Sequence, residues 1–114
     1  MQQQRKVARR HLAIYPEVVE RESGVVLGRL ADLTATGLMV VSDEPIEAGS
    51  VYQLSIALPQ PLEGRSSIDL EARSLWTRTG ANARLHETGF ELTRLADQDR
   101  RNVSRLILTF GLKD

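Results

Sequence analysis

Apolar and polar residues alternate through most of this chain, and a helical period takes over only near its C-terminal end. Within Val51 to Leu58, the residues Tyr52, Leu54, Ile56 and Leu58 fall on one side of an extended backbone, because successive side chains of a strand point to opposite faces. Within Ile68 to Thr77, the same rule puts Ile68, Leu70, Ala72 and Trp76 on one face, where Trp76 reads as core packing and the alternative is stacking on a base. Ala83 to Thr93 predicts a further strand, with Phe90 and Leu92 inward and Gly89 easing a close approach. Three more strands precede these, over Leu12 to Glu20, Val25 to Leu33 and Gly37 to Ser42. Pro16 restricts the first to an edge or a bulge, because proline has no N–H for a ladder. Gly28 in the second suggests a bulge or a barrel bend. The third is apolar enough to be buried on both faces.

Turn signals separate these segments: Arg21 to Gly24, Asp43 to Ser50 with Pro45 and Gly49, Pro59 to Gly64, and Thr79 to Asn82. Short strands so closely spaced predict a small antiparallel barrel or sandwich, and a barrel leaves no exposed sheet edge. The last segment changes period. Val103, Leu106, Ile107 and Phe110 form one stripe of a helix, with Asp97 as its expected N-cap and Gly111 as its stop. That helix is expected to lie across a barrel mouth or flank. The organisation expected is a basic arm over 1–11, a barrel over 12–95 and a closing helix over 96–111.

Composition narrows the class. A chain of 114 residues with 41% hydrophobic and 26% charged content suits one ordinary globular domain. No stretch approaches the roughly 20 apolar residues that span a bilayer, and the N-terminus lacks the apolar core of a secretory signal. A cytoplasmic location without membrane insertion is therefore expected. With no cysteine, disulfides, thiolate metal sites and a cysteine nucleophile are excluded. His11 and His86 are far apart and have no second ligand at metal spacing, so no metal site is expected. The carboxylates Asp43, Glu44 and Glu47, and Asp97 with Asp99, read as loop and helix-start chemistry. No nucleophile motif or phosphate-cradling loop occurs, so the chain is not expected to be an enzyme.

Charge is balanced overall but not along the chain. Formal net charge is zero, so no global field favours nucleic acid. Arg5, Lys6, Arg9 and Arg10 all precede the first acid, Glu17. Guanidinium is planar and donates paired hydrogen bonds to phosphate or to guanine O6 and N7. The bland alternative is a solvated basic tail. One strand further on comes the turn Asp32-Leu33-Thr34-Ala35-Thr36-Gly37. A carboxylate there can accept from guanine N1–H and the N2 amino group together. Thr34 offers a hydroxyl to a phosphate or to the turn. Gly37 permits positive φ and close approach of a ligand. The alternative is a purely structural Asx-type turn. Antiparallel pairing of the first two strands brings arm and turn to one surface, which points to a receptor for a small, doubly anionic guanine nucleotide.

The pair of motifs resembles the PilZ domain, the bacterial receptor module for cyclic di-GMP. Arg5 and Arg9 match that family's R-x-x-x-R arm, with Arg10 as an adjacent or alternative second arginine, and Asp32, Thr34 and Gly37 match its [D/N]-x-S-x-x-G turn. Leu75-Trp76, Thr88 to Leu92 and the terminal helix resemble its later elements. The resemblance implies an all-β fold, a six-stranded antiparallel barrel with a C-terminal helix. It implies cyclic di-GMP as ligand, with Arg5, Arg9, Arg10, Asp32, Thr34 and Gly37 as its binding residues and no other cofactor. It also implies an arm that orders on binding, and a protein partner in motility, exopolysaccharide or biofilm control. Two features depart from the family pattern. Thr34 stands where serine is usual, and Lys6/Arg10 offers a second arm register. The alternative is an interaction adaptor of the same fold that binds no nucleotide. A single-stranded nucleic-acid binder is a weaker third reading, marked by steep salt dependence.

Overall fold

The structure is a computed structural model that describes residues 15–62, 64–80 and 83–110. Six strands form, β1 (Glu17–Glu20), β2 (Val26–Leu33), β3 (Gly37–Ser42), β4 (Val51–Leu62), β5 (Arg65–Thr79) and β6 (His86–Arg94), followed by the helix α1 (Asp97–Phe110). They close into a barrel in the order β1-β2-β3-β6-β5-β4, and every neighbouring pair is antiparallel. This is the six-stranded barrel with a closing helix that the sequence leads one to expect.

Alternation produces the core directly. Val18, Leu30, Leu38, Val40, Leu54, Ile56, Ile68, Leu70, Ala72 and Phe90 point inward and are buried. Val103 and Leu106 of α1 and Ile46 of the 43–50 loop join the same cluster. Removing such side chains from water, at about 25 cal/mol per Å² of apolar surface, is the main drive to closure. Antiparallel pairing defines two ends. The β2–β3 turn, Pro16, the β4–β5 turn and the start of α1 lie at one, which we call the upper end. The β1–β2 turn, the 43–50 loop and the β5–β6 turn lie at the lower. An ion pair of 3.4 Å between Arg65 and Asp99 ties the first turn of α1 to the start of β5. Asn102 is fully buried beneath the helix, and among the described residues neither of its amide atoms has a hydrogen-bond partner.

Five local expectations are corrected. The first strand begins only after Pro16, and β1 is no edge, since it pairs with both β2 and β4. Pro16 serves instead through its carbonyl, which accepts from Leu30 N–H at 2.7 Å. The break expected at Pro59 does not occur, because β4 runs on to Leu62 while its ladder with β5 shifts register between Ala57 and Leu62. Proline lacks only the donor, so the ladder slips past it rather than ending. Strand β3 is fully buried on one face only, with Met39 and Val41 half-buried on the other. Asp97 is not the cap, since Ala96 C=O accepts the first helical bond, from Arg100 N–H at 2.9 Å, and the Asp97 carboxylate is exposed.

The fifth correction moves Trp76. The β5–β6 ladder shifts register between Ser74 and Trp76. Ser74 takes the inward position after Ala72 and is 1% exposed, whereas Trp76 turns outward and is 40% exposed. An extra residue in one strand reverses the facing of everything beyond it, and strict alternation could not anticipate that.

Candidate functional site

The β2–β3 turn is organised by one hydroxyl. Thr34 Oγ1 accepts from Gly37 N–H at 3.1 Å and Thr36 N–H at 3.3 Å, and donates to Gly37 C=O at 3.3 Å. Thr34 N–H also donates to Gly37 C=O, at 2.8 Å. The turn is pinned sideways to β6, where Leu92 N–H donates to Thr36 C=O at 2.9 Å. Threonine and serine carry the same hydroxyl, so a threonine here serves the turn as a serine does. The hydroxyl is thereby occupied by backbone.

Gly37 is needed for a reason other than the one read from sequence. Positive φ occurs at Gly24, Gly49 and Gly64, and not at Gly37. A Cβ on Gly37 would instead stand 2.6 Å from Phe90 O, on the neighbouring strand. Glycine lets β3 and β6 approach there.

Asp32 is half-buried, directly opposite Met39 on the outer face of the barrel. The register shift between Leu30 and Asp32 gives β2 an extra residue, Ala31. That bulge lets Leu30 and Leu33 both face inward while Asp32 faces out. Its Oδ1 accepts from Leu33 N–H at 2.9 Å, which leaves most of the carboxylate's acceptor capacity for other donors.

A row of facing residues runs from Asp32 across the sheet. Asp32 pairs with Met39, Met39 with Gly89, and Gly89 with Trp76. Three strand spacings separate its ends, about 14 Å. Gly89 forms a floor on which the Trp76 indole lies. A Cβ there would come within 2.6 Å of Trp76 Nε1. The Arg78 guanidinium covers the Trp76 ring at 4.9 Å from its centroid, held by a 2.8 Å bond from its Nε to Glu87 Oε1. The face thus offers a carboxylate at one side, the Trp76 indole with a cation over it at the other, and Met39 between them.

Sequence reasoning favoured the core for Trp76, with base stacking as the alternative, and did not bring Arg78 forward. The available signal was Gly89 itself, since a glycine within a strand marks a close approach, but only the ladder with β5 makes Trp76 its partner. Of the residues that sequence brought forward, Asp32, Thr34 and Gly37 fall together at the upper end of this face. Arg5, Arg9, Arg10 and His11 lie outside the described residues. The chain leaves the described region at Tyr15, whose C=O accepts from Arg29 Nη1 at 3.2 Å, and Pro16 C=O accepts from Leu30 N–H. The root of the N-terminal segment is therefore beside β2, within two residues of Asp32.

Other chemistry is sparse. Among the described residues no group of three or more His, Cys, Asp or Glu is placed to hold a metal ion, and no helix is long and apolar enough to cross a membrane. Glu71, on the outer face of β5, accepts from Gln53 Nε2 and Thr93 Oγ1, and these bonds hold its carboxyl below the ordinary value. Burial and the nearby Glu47 charge raise the Tyr52 phenol.

Comparison with known proteins places this architecture. The Bacillus subtilis inhibitor of motility (MotI/DgrA) superposes with a TM-score of 0.66 at 20% identity, over 92% of this chain and 52% of that one. This chain thus spans about half the length of that protein. The PilZ domain of YcgR from Escherichia coli, in a structure with c-di-GMP, superposes with a TM-score of 0.60 at 14% identity, over 84% of this chain and 82% of that one. At such identities the likeness is one of fold. No curated protein matches the sequence. The model of the PilZ domain matches residues 3–109, nearly the whole chain, and this protein belongs to the PilZ domain family.

Proposed function

We propose that this chain is a cyclic di-GMP receptor that binds the nucleotide between its N-terminal arginines and the outer face carrying Asp32. One observation carries the reading: the root of the arm lies beside β2 at Tyr15 and Pro16, next to Asp32. Arg9 and Arg10 stand six and five residues before Tyr15. At about 3.3–3.6 Å per residue they reach across the whole face. Family membership supports the ligand class, as does the c-di-GMP in the similar YcgR structure.

Roles follow from the chemistry. Arg5, Arg9 and Arg10 take the two phosphates and guanine Hoogsteen edges by paired hydrogen bonds. Asp32 accepts from a guanine N1–H and N2 amino group. Thr34 holds the turn, and Gly37 keeps β3 close to β6 so that the turn's backbone faces the ligand. Arg78, layered over the Trp76 ring, offers with it a cation–aromatic platform for a base, a contact worth about 1–3 kcal/mol. The reading is one of binding rather than catalysis.

Ordering the arm costs free energy, and the altered arm is the signal a partner protein reads. The similar inhibitor of motility makes motility the first process in which to seek that partner, in the bacterial cytoplasm. Titration calorimetry with cyclic di-GMP tests the proposal. Saturable heat is expected from the full chain and its loss from Arg9→Ala and Asp32→Ala. Absence of heat from the unaltered protein leaves the adaptor reading in its place.

A further inference from the structure

An open cleft of about 870 Å³ runs down β2 from Tyr15 and Ala31 to Val25 and Val26 at the lower end. Its lower part is apolar and open, with Val25 54% and Val26 50% exposed. Its rim is acidic. Asp43, Glu44 and Glu47 of the 43–50 loop border it and are exposed. The sole cation among its described lining residues is Arg29, already engaged with Glu17 at 3.6 Å and Tyr15 C=O. The three rim carboxylates have no cationic partner among the described residues.

The 43–50 loop is fixed by its backbone, not by these carboxylates. Ser42 Oγ donates to Glu44 C=O at 2.6 Å, and Ser74 Oγ donates to Glu47 C=O at 2.7 Å. Thr77 Oγ1 donates to Ile46 C=O. The acidic side chains are thus held in place yet spare. An apolar floor with an anionic rim fits a chain segment that is both cationic and apolar. The N-terminal residues carry that chemistry, with Arg5, Lys6, Arg9 and Arg10 among Val7, Leu12 and Ile14. They join the described chain at Tyr15, which lines the cleft. From Ala31 to Val26 is five residues of strand, about 17 Å, within reach of Arg9 and Arg10.

We propose that in the absence of ligand this chain's own residues 1–14 seat in the cleft, with their cations against Asp43, Glu44 and Glu47 and their apolar side chains on Val25 and Val26. Tethering makes a weak contact sufficient. A short tether gives an effective concentration of about 1 mM, so an affinity of that order already populates the seat. The seat also competes with the nucleotide for the same arginines. If the cyclic di-GMP reading holds, apparent affinity is lowered by the fraction of arm that is docked.

Paramagnetic relaxation on the full chain, without nucleotide, tests the seat, so a failure of the cyclic di-GMP reading leaves this measurement standing. The chain has no cysteine, so Ala8→Cys takes a single nitroxide. Broadening of the Val26, Glu44 and Ile46 amides is expected at low salt. It should fall at least threefold in D43N/E44Q/E47Q, in R9Q/R10Q, and in 1 M NaCl, where screening is nearly complete beyond about 3 Å. Broadening that is absent from these amides, or unchanged by both sets of substitutions, overturns the proposal. So does broadening that appears fully in an isotopically labelled, nitroxide-free copy mixed with the labelled one, since the seat then belongs to a second copy.

Discussion

Gly37 and Gly89 lie on adjacent strands of one outer face, and neither has room for a side chain, but what fills the space differs. Beside Gly37 it is the Phe90 carbonyl oxygen, part of a neighbouring strand. Beside Gly89 it is the Trp76 indole, the end of a side chain. The first glycine is a condition for the barrel, because backbone cannot step aside. The second is a condition for a surface, because an indole can. Two identical residues on neighbouring strands thus make room for backbone in one case and for an aromatic side chain in the other.

That contrast is open to direct attack. Gly37→Ala carries the largest expected cost in stability. A methyl 2.6 Å from Phe90 O forces β3 from β6, and overpacking of this kind costs about 1–3 kcal/mol. A fall in the urea midpoint measures it, and an unchanged midpoint refutes the architectural role. Gly89→Ala should disturb stability less but tilt the indole off its floor, seen as a shift in the emission of the sole tryptophan together with weaker nucleotide binding. If emission and affinity both stay put, Gly89 does not shape the face.

Asp32→Asn keeps the shape and removes the charge. Loss of a charge-assisted hydrogen bond, about 1.5–3 kcal/mol, corresponds to roughly 10- to 150-fold weaker cyclic di-GMP binding with near-native thermal stability. Trp76→Ala is expected to weaken binding about 5- to 150-fold, by loss of base stacking, and to leave the fold intact because Trp76 lies outside the core. Equal affinity of the alanine variant would confine the site to the Asp32 side.

The smallest effect expected is in pH dependence, away from the face. Glu71 is held below its ordinary value of 4.5 by Gln53 and Thr93. A carboxyl with a lowered folded-state pKa adds stability above its unfolded value, and that stability is lost as pH falls through the folded value. Glu71→Gln should therefore flatten the acid limb of a thermal-melting profile below about pH 4.5 while leaving nucleotide binding at neutral pH unchanged.

Much of this fold was legible in one dimension. The inward sets of β4 and β6 follow from period alone, because a strand with one face in a core must repeat every second residue, and the extent of β3 follows from the turn signals that flank it. The Asp32 to Gly37 turn was legible because a hydroxyl two or three residues before free N–H groups is a local device that needs no distant partner. What escaped was whatever depended on a second strand. Trp76 reads as core until the ladder with β6 is known to slip at Ser74. Pro59 and Pro61 read as a strand end until β5 is seen to continue beside them. Asp97 reads as a cap until Ala96 C=O takes the first helical bond.

The sequence by itself determined the inward sets of β4 and β6, the place of the β2–β3 turn and the residue types brought to it, since these rest on periodicity and on near neighbours along the chain. Only the tertiary structure decided which side chains share the outer face. Register between strands far apart in sequence aligns Asp32 with Met39, Gly89 and Trp76, and a bulge of one residue is enough to move a tryptophan from the core to the surface.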